Sequence, residues 1–225
     1  MAGNEDRERV MVDAWDWPTR ALHWINAALV VTLALLMLGK DGMELLGVEK
    51  ALRRPLNFAH AYVGFAFIAT FSLRVIWAFV GNRYARWADI IPISREQREG
   101  IARDIKWYLS GFKGSPTRVA GHDPLASLFY IVLFVVLASQ AATGLVLSGA
   151  ELKVGPLSGL FSGMGEEAIK NITEALEEVH EAGFLYILFF IFAHIVGLVV
   201  HEVSEKTGLF SSMIHGKKYF PKDRP

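Results

Sequence analysis

The chain has no cysteine in its 225 residues. That absence removes disulfides, thiolate-held iron–sulfur clusters and the C-x-x-C-H attachment of a c-type haem together. Any metal centre must therefore rest on histidine, methionine or carboxylate. Net charge is missing as well, since 23 basic and 23 acidic residues cancel; no global field marks a nucleic-acid partner or an acidic substrate. The long apolar runs lack the period-two alternation of strands, and within them no buried carboxylate pair, broken helix or inverted repeat suggests a transporter. The first 20 residues, MAGNEDRERVMVDAWDWPTR, are polar and lack an apolar stretch leading to a small-residue cleavage site, so no cleaved signal peptide is expected.

What is present is apolar surface. Hydrophobic residues make up 52% of the chain and mean hydropathy is +0.32, more than an average soluble domain carries. Spanning a hydrocarbon layer about 30 Å thick takes roughly 20 helical residues, and four stretches qualify: residues 17–38, 56–80, 125–147 and 179–203. The expected fold is all-α, a single domain over 1–225: an integral membrane four-helix up-down bundle with short interfacial helices. Counting basic residues between spans gives 16 on the side of both termini and the second loop against 6 on the other. The positive-inside rule then puts both termini in the cytoplasm. The third loop, with Glu151, Glu166, Glu167, Glu174, Glu177 and Glu178, is expected on the outer surface, its 166–178 stretch a short amphipathic helix. The second loop, about residues 81–121, mixes arginines with Trp87, Trp107 and Tyr108 and reads as an interfacial helix at the lipid headgroups.

Seven histidines are present, and His23, His60, His180 and His194 fall within spans. A polar, metal-binding group in hydrocarbon is costly unless something satisfies it, so each is a functional candidate. His180 and His194 are 14 residues apart, which leaves them within about 40° of one helix face and roughly 21 Å apart along the axis. In an up-down bundle His60 comes level with His180 near the outer end, and His23 with His194 near the inner end. Two bis-imidazole sites follow, and with no coordination position left open they suit electron transfer through haem rather than oxygen binding. His201 shares the face of His194 but lies about 10 Å nearer the cytoplasmic boundary, so His194 is preferred. His122 and His215 read as solvated surface residues. Haem propionates need cations or donors, and Arg20 and Arg74 are at suitable depths; either can also snorkel to headgroups.

At these residues the sequence resembles a known family, the bacterial di-haem cytochromes b that include the b-type cytochrome subunits of membrane nickel–iron hydrogenases and, more distantly, the prokaryotic cytochromes b561. The carrying motifs are WPTRALHW at Trp17–Trp24, His60 to Arg74 followed by VIWAFVGNRYARW, GHDPLA at 121–126, the His180 to His194 spacing, and SSMIHGKK at 211–218. The resemblance implies two haem b groups, with iron ligands falling by motif on His23, His60, His180 and His194. It also implies electron transfer between a periplasmic redox protein, hydrogenase-type or a c-type cytochrome, and the quinone pool across the bacterial inner membrane. Arg20, Arg74 and His201 are the candidate groups for haem propionates or a quinone pocket. Two alternatives stay open: a stand-alone quinone reductase taking electrons from a small donor such as superoxide, and a membrane anchor for a different dehydrogenase. Whether copies associate into a homo-oligomer also stays open.

Overall fold

A computed structural model of the protein describes residues 9–222. Its elements run β1 (Arg9–Asp13), α1 (Trp17–Leu45), α2 (Lys50–Val80), α3 (Trp87–Ile90), α4 (Arg95–Leu109), α5 (Pro124–Leu147), α6 (Glu166–Glu205), α7 (Leu209–His215) and β2 (Lys217–Pro221). A π-helical turn, Ser148–Leu152, prolongs α5, and a short 3-10 turn, Ser158–Phe161, precedes α6. Among the described residues, α1, α2, α5 with its π turn, and α6 are long and apolar enough to cross a membrane, as expected of an all-α membrane bundle. Their outward side chains are large and greasy: Leu35 is 63% exposed, Phe79 68% and Phe192 68%. Such surface is stable against lipid and not against water.

The helices are longer than the apolar runs alone indicate. α2 begins six residues earlier than expected and contains Pro55, whose missing N–H removes one backbone bond near the helix start. The acidic stretch 166–178 is not a separate amphipathic helix: it is the first part of α6, one continuous rod of 40 residues. At 1.5 Å per residue this rod extends about 60 Å, twice a hydrocarbon core, so its glutamate-rich start lies beyond the apolar segment. Glu166 and Glu167 in the first turn also complement the helix dipole.

The starts of the other helices are set by local chemistry. Asp16 caps α1, accepting from the Thr19 N–H at 2.9 Å. Asp123 caps α5, accepting from Ala126 N–H at 2.9 Å, with Pro124 at the first helical position where its lost donor is harmless. Ser94 and Gln97 form a reciprocal capping box at α4.

The chain divides into two compact units, and every membrane helix contributes to both. The first comprises the chain up to Ala21, Ile76–Val132 and the residues from Ile191; the second comprises Leu22–Val75 and Leu133–Phe190. In the first unit the terminal strands pair antiparallel, Arg9 with Pro221 through Asp13 with Lys217. This ribbon has no signal in apolar periodicity, because each strand is too short and too polar. Around it polar side chains interlock. Asp16 also accepts from Trp77 Nε1 at 3.1 Å and Asn82 N–H at 3.0 Å, tying the start of α1 to the end of α2. Lys218 is 3% exposed, and its ammonium donates to the Gly121 carbonyl at 2.8 Å over the Trp15 ring. Burial pulls its pKa down to about 8, against the pull of Glu205, Asp89 and Asp123. In the second unit α1 and α2 run antiparallel, Asn26 near the start of one bonding Thr70 late in the other at 2.9 Å, and Phe71 stacks toward Phe134 of α5.

Burial, reinforced by the charge of Asp104, pushes the Asp123 carboxyl up to about 6. A folded-state pKa above the unfolded value favours the protonated fold, so this group's contribution is full at about pH 4 and is lost as pH rises through 6. Asp123→Asn keeps a capping oxygen and deletes the charge. Thermal unfolding of the purified protein should show the variant matching the parent at about pH 4 and melting higher than it at about pH 8.

Candidate functional site

The second unit brings together two of the four span histidines. His60 lies on α2 and His180 on α6, with ring centroids 6.1 Å apart and planes inclined by 73°. With a metal–nitrogen bond of about 2 Å on each side plus half of each ring, two imidazoles sharing one ion come to rest with centres roughly 6 Å apart. No hydrogen bond joins the two rings among the described residues. His60 Nδ1 is buried without a hydrogen-bond partner; the Leu33 backbone carbonyl is close to this ring but outside hydrogen-bond geometry with that nitrogen. Two imidazoles opposed across this gap fit a group that supplies a metal between them.

His180 is held from α5. Its Nδ1 lies 2.8 Å from Thr143 Oγ1, and its backbone carbonyl accepts from Gln140 Nε2 at 2.9 Å. A Cβ at Gly144 would lie 3.5 Å from His180 Cε1. The sequence reading missed Thr143 and Gln140. The signal was available: they are polar residues three apart in an otherwise apolar span, hence on one face.

The other two span histidines fall in different units. His23 belongs to the second unit and packs against Trp24, centroids 5.2 Å apart. His194 belongs to the first unit, where its ring meets Tyr130 at 6.4 Å. His201 has both ring nitrogens engaged: Nδ1 with Glu205 Oε1 at 2.6 Å and Nε2 with the Tyr108 hydroxyl at 3.0 Å. This favours His194 over His201 as a ligand, since neither lone-pair position of His201 is spare.

The arginines behave differently from one another. Arg20 donates through Nη1 to the Ile214 carbonyl, so it anchors the segment that contains α7. Arg74 lays its guanidinium over the Phe134 ring, 5.7 Å from the centroid, a cation–π contact within the span. His122 is not the solvated residue expected. Its Nδ1 pairs with Asp89 at 2.7 Å, its side chain is 15% exposed, and its ring packs against Trp15 and Tyr130. The loop folds back under the helices and covers it, which a linear reading of a polar segment cannot reveal. His215 is exposed, as expected.

Long apolar helices carrying a matched imidazole pair define a multi-pass membrane protein built to hold a metal-centred macrocycle. A family model for prokaryotic cytochrome b561 matches residues 14–216. A "Probable Ni/Fe-hydrogenase B-type cytochrome subunit" of Rhizobium leguminosarum bv. viciae is 32% identical over 99% of this chain and 94% of its own length. Proteins with that printed name from Azotobacter vinelandii and Rhodobacter capsulatus are 28% and 27% identical, each over 97% of this chain and over 93% and 85% of their own lengths. The chain belongs to the prokaryotic cytochrome b561 family. It is a membrane b-type cytochrome, an electron-transfer protein whose cofactor is haem b.

Because both nitrogens of His201 are committed to Tyr108 and Glu205, His201→Gln should leave the haem content per chain equal to the parent's. A pyridine haemochrome assay against protein concentration checks this, and loss of a haem would transfer the ligand role to His201.

Proposed function

We propose that this chain carries electrons across the bacterial inner membrane through two haem b groups, His60 with His180 and His23 with His194. These would link a hydrogenase-type redox protein on the outer face to quinone on the cytoplasmic side. The observation that carries the reading is the His60–His180 separation of 6.1 Å on helices that otherwise present lipid-facing apolar surface. His60 and His180 would hold the haem through neutral imidazoles, and the bound group would supply a one-electron couple suited to electron transfer. His194 follows His180 by 14 residues on the unbroken α6, so it returns to nearly the same face about 21 Å along the rod. His23, early in α1, is the partner at matching depth.

Direction across the membrane rests on charge. The basic count puts both termini and the α3–α4 segment in the cytoplasm. The acidic start of α6 then projects from the outer face, where Glu166, Glu167 and Glu174 are exposed. A carboxylate-rich projection suits docking of a redox protein and repels a small anion such as superoxide, which favours a subunit role over a stand-alone reductase. The relatives named as hydrogenase cytochrome subunits add weight to a hydrogenase partner.

Quinone turnover needs protons as well as electrons. In the first unit a groove of about 270 Å³ is lined by Phe112, Val199, Val200, Val203 and Ser204. Phe112 packs edge-on against Tyr108 at 5.7 Å, and Tyr108 heads the chain of hydroxyl, His201 and Glu205. Apolar walls suit an isoprenoid-bearing ring, and the chain of exchangeable groups can pass a proton. His201 thus acts in proton supply, while Arg20 and Arg74 remain the cations available to propionates.

Substituting His60 and His194 by Ala in separate proteins should each remove one haem and spare the other, counted by haemochrome assay and by resolved steps in a redox titration. Retention of both haems in both variants would sink the ligand map. Tyr108→Phe should keep both haems and slow quinone reduction at least several-fold, with a shifted pH profile; an unchanged rate and profile would move the quinone site elsewhere.

A further inference from the structure

We propose that Thr143 is a positioning residue for the His60–His180 site: its hydroxyl oxygen accepts from His180 Nδ1–H, fixing the tautomer that leaves Nε2 as the metal-binding nitrogen. The inference rests on the haem reading above and deepens it.

Hydrogen-bond bookkeeping leads to the donor assignment. Thr143 Oγ1 lies 2.8 Å from the Ser139 carbonyl, 3.3 Å from the Gln140 carbonyl and 2.8 Å from His180 Nδ1. The hydroxyl owns a single proton, and both carbonyls can only accept. With that proton directed to Ser139, one turn back along α5, the oxygen keeps lone pairs for His180. The imidazole must then supply the proton from Nδ1, and in the neutral ring Nε2 is left bare. Thr143 is 6% exposed, so no water competes for either bond.

The backbone beneath the ring is pinned as well. Gln140 Nε2 reaches the His180 carbonyl at 2.9 Å by crossing the place where position 183 has no side chain; a Cβ there would stand 2.1 Å from that nitrogen. Gly183 therefore admits the amide, and α5 grips His180 at both its ring and its main chain. The site is asymmetric, since no side chain bonds His60 Nδ1 as Thr143 bonds His180. An N–H···O bond to a ligating imidazole raises its basicity and stabilises the more highly charged metal state. Thr143 accordingly holds one ligand rigid and keeps the reduction potential of this haem low.

Thr143→Val removes the acceptor at nearly constant shape in an apolar helix, and Thr143→Ser retains the hydroxyl. In the detergent-purified full chain, Thr143→Val should raise the midpoint potential of one haem. It should also shift that haem's low-spin electron paramagnetic resonance signal and weaken its retention during apoprotein titration roughly 10–100-fold. The second haem should keep its potential and signal, and Thr143→Ser should restore the parent values. Gly183→Ala, which displaces Gln140, should perturb the same haem alone. Unchanged potential, signal and retention in Thr143→Val would overturn the positioning role while leaving the haem site standing. Should His180→Ala retain both haems, the ligand reading itself fails, independently of Thr143.

Discussion

A polar atom inside a membrane helix has no water to turn to, so every such atom must find its partner within the protein or hold something that supplies one. This constraint organises the chain. Asn26 bonds the Leu22 carbonyl at 2.7 Å and Thr70 at 2.9 Å; Thr32 bonds the Ala28 carbonyl at 2.8 Å; Thr143 and Gln140 close on His180. His60 Nδ1 is one of several buried side-chain atoms among the described residues that make no such bond. On the proposed reading, a metal-centred macrocycle between the two rings would account for imidazoles standing opposed inside an apolar bundle.

The same constraint explains how the helix ends are arranged. Where the chain leaves hydrocarbon, apolar packing no longer dictates geometry and charged groups take over. Asp16 is pushed up by burial, but hydrogen bonds from Thr19, Asn82 and Trp77 outweigh it and hold the carboxyl below the usual range. It stays ionised and binds three elements of the first unit. Asp89 pairs with His122, Asp104 is fully buried and accepts the Thr117 N–H at 2.7 Å, and Lys218 spans from β2 to the Gly121 carbonyl. Gly216, with φ +89, lets the main chain come within reach of Trp15, where a Cβ would lie 2.6 Å from a carbonyl oxygen. Its own carbonyl accepts from Ala14 and Trp15. A knot of this kind ties together the ends of α1, α2 and α5 within the first unit.

What could be read in advance follows from which forces are local. Hydropathy over a 20-residue window is a one-dimensional property, so the membrane helices and the four span histidines were legible, and the His180–His194 spacing carried the idea of two depths. The nearness of His60 and His180, rings 6.1 Å apart, was legible because antiparallel helices convert sequence distance into height. The β-ribbon, the burial of His122 and the continuity of α6 were not, because each depends on contacts between segments far apart in sequence or on a helix persisting beyond its apolar run. Thr143 and Gln140 were visible as polar residues in an apolar span, but their target was not, since a hydrogen bond across helices depends on rotation about each axis. The cooperation of Tyr108 and His201, 93 residues apart, was hidden for the same reason.

Electrons and protons make opposite demands on a membrane protein, and the chain separates them. Electron transfer works through dry, fixed groups, and on the proposed reading His60 and His180 are two of them, the His180 ring held by the uncharged Thr143 hydroxyl. Proton movement needs rotating hydroxyls and carboxylates near water. The first unit concentrates those groups, with Tyr108, His201 and Glu205 in bonded sequence and the Tyr108 phenol shifted upward, chiefly by burial and further by Asp123, Asp104 and Glu205. A phenol held protonated is a donor rather than a base. On the proposed quinone reading it would offer a hydrogen bond to a carbonyl in the adjoining groove, with His201 behind it.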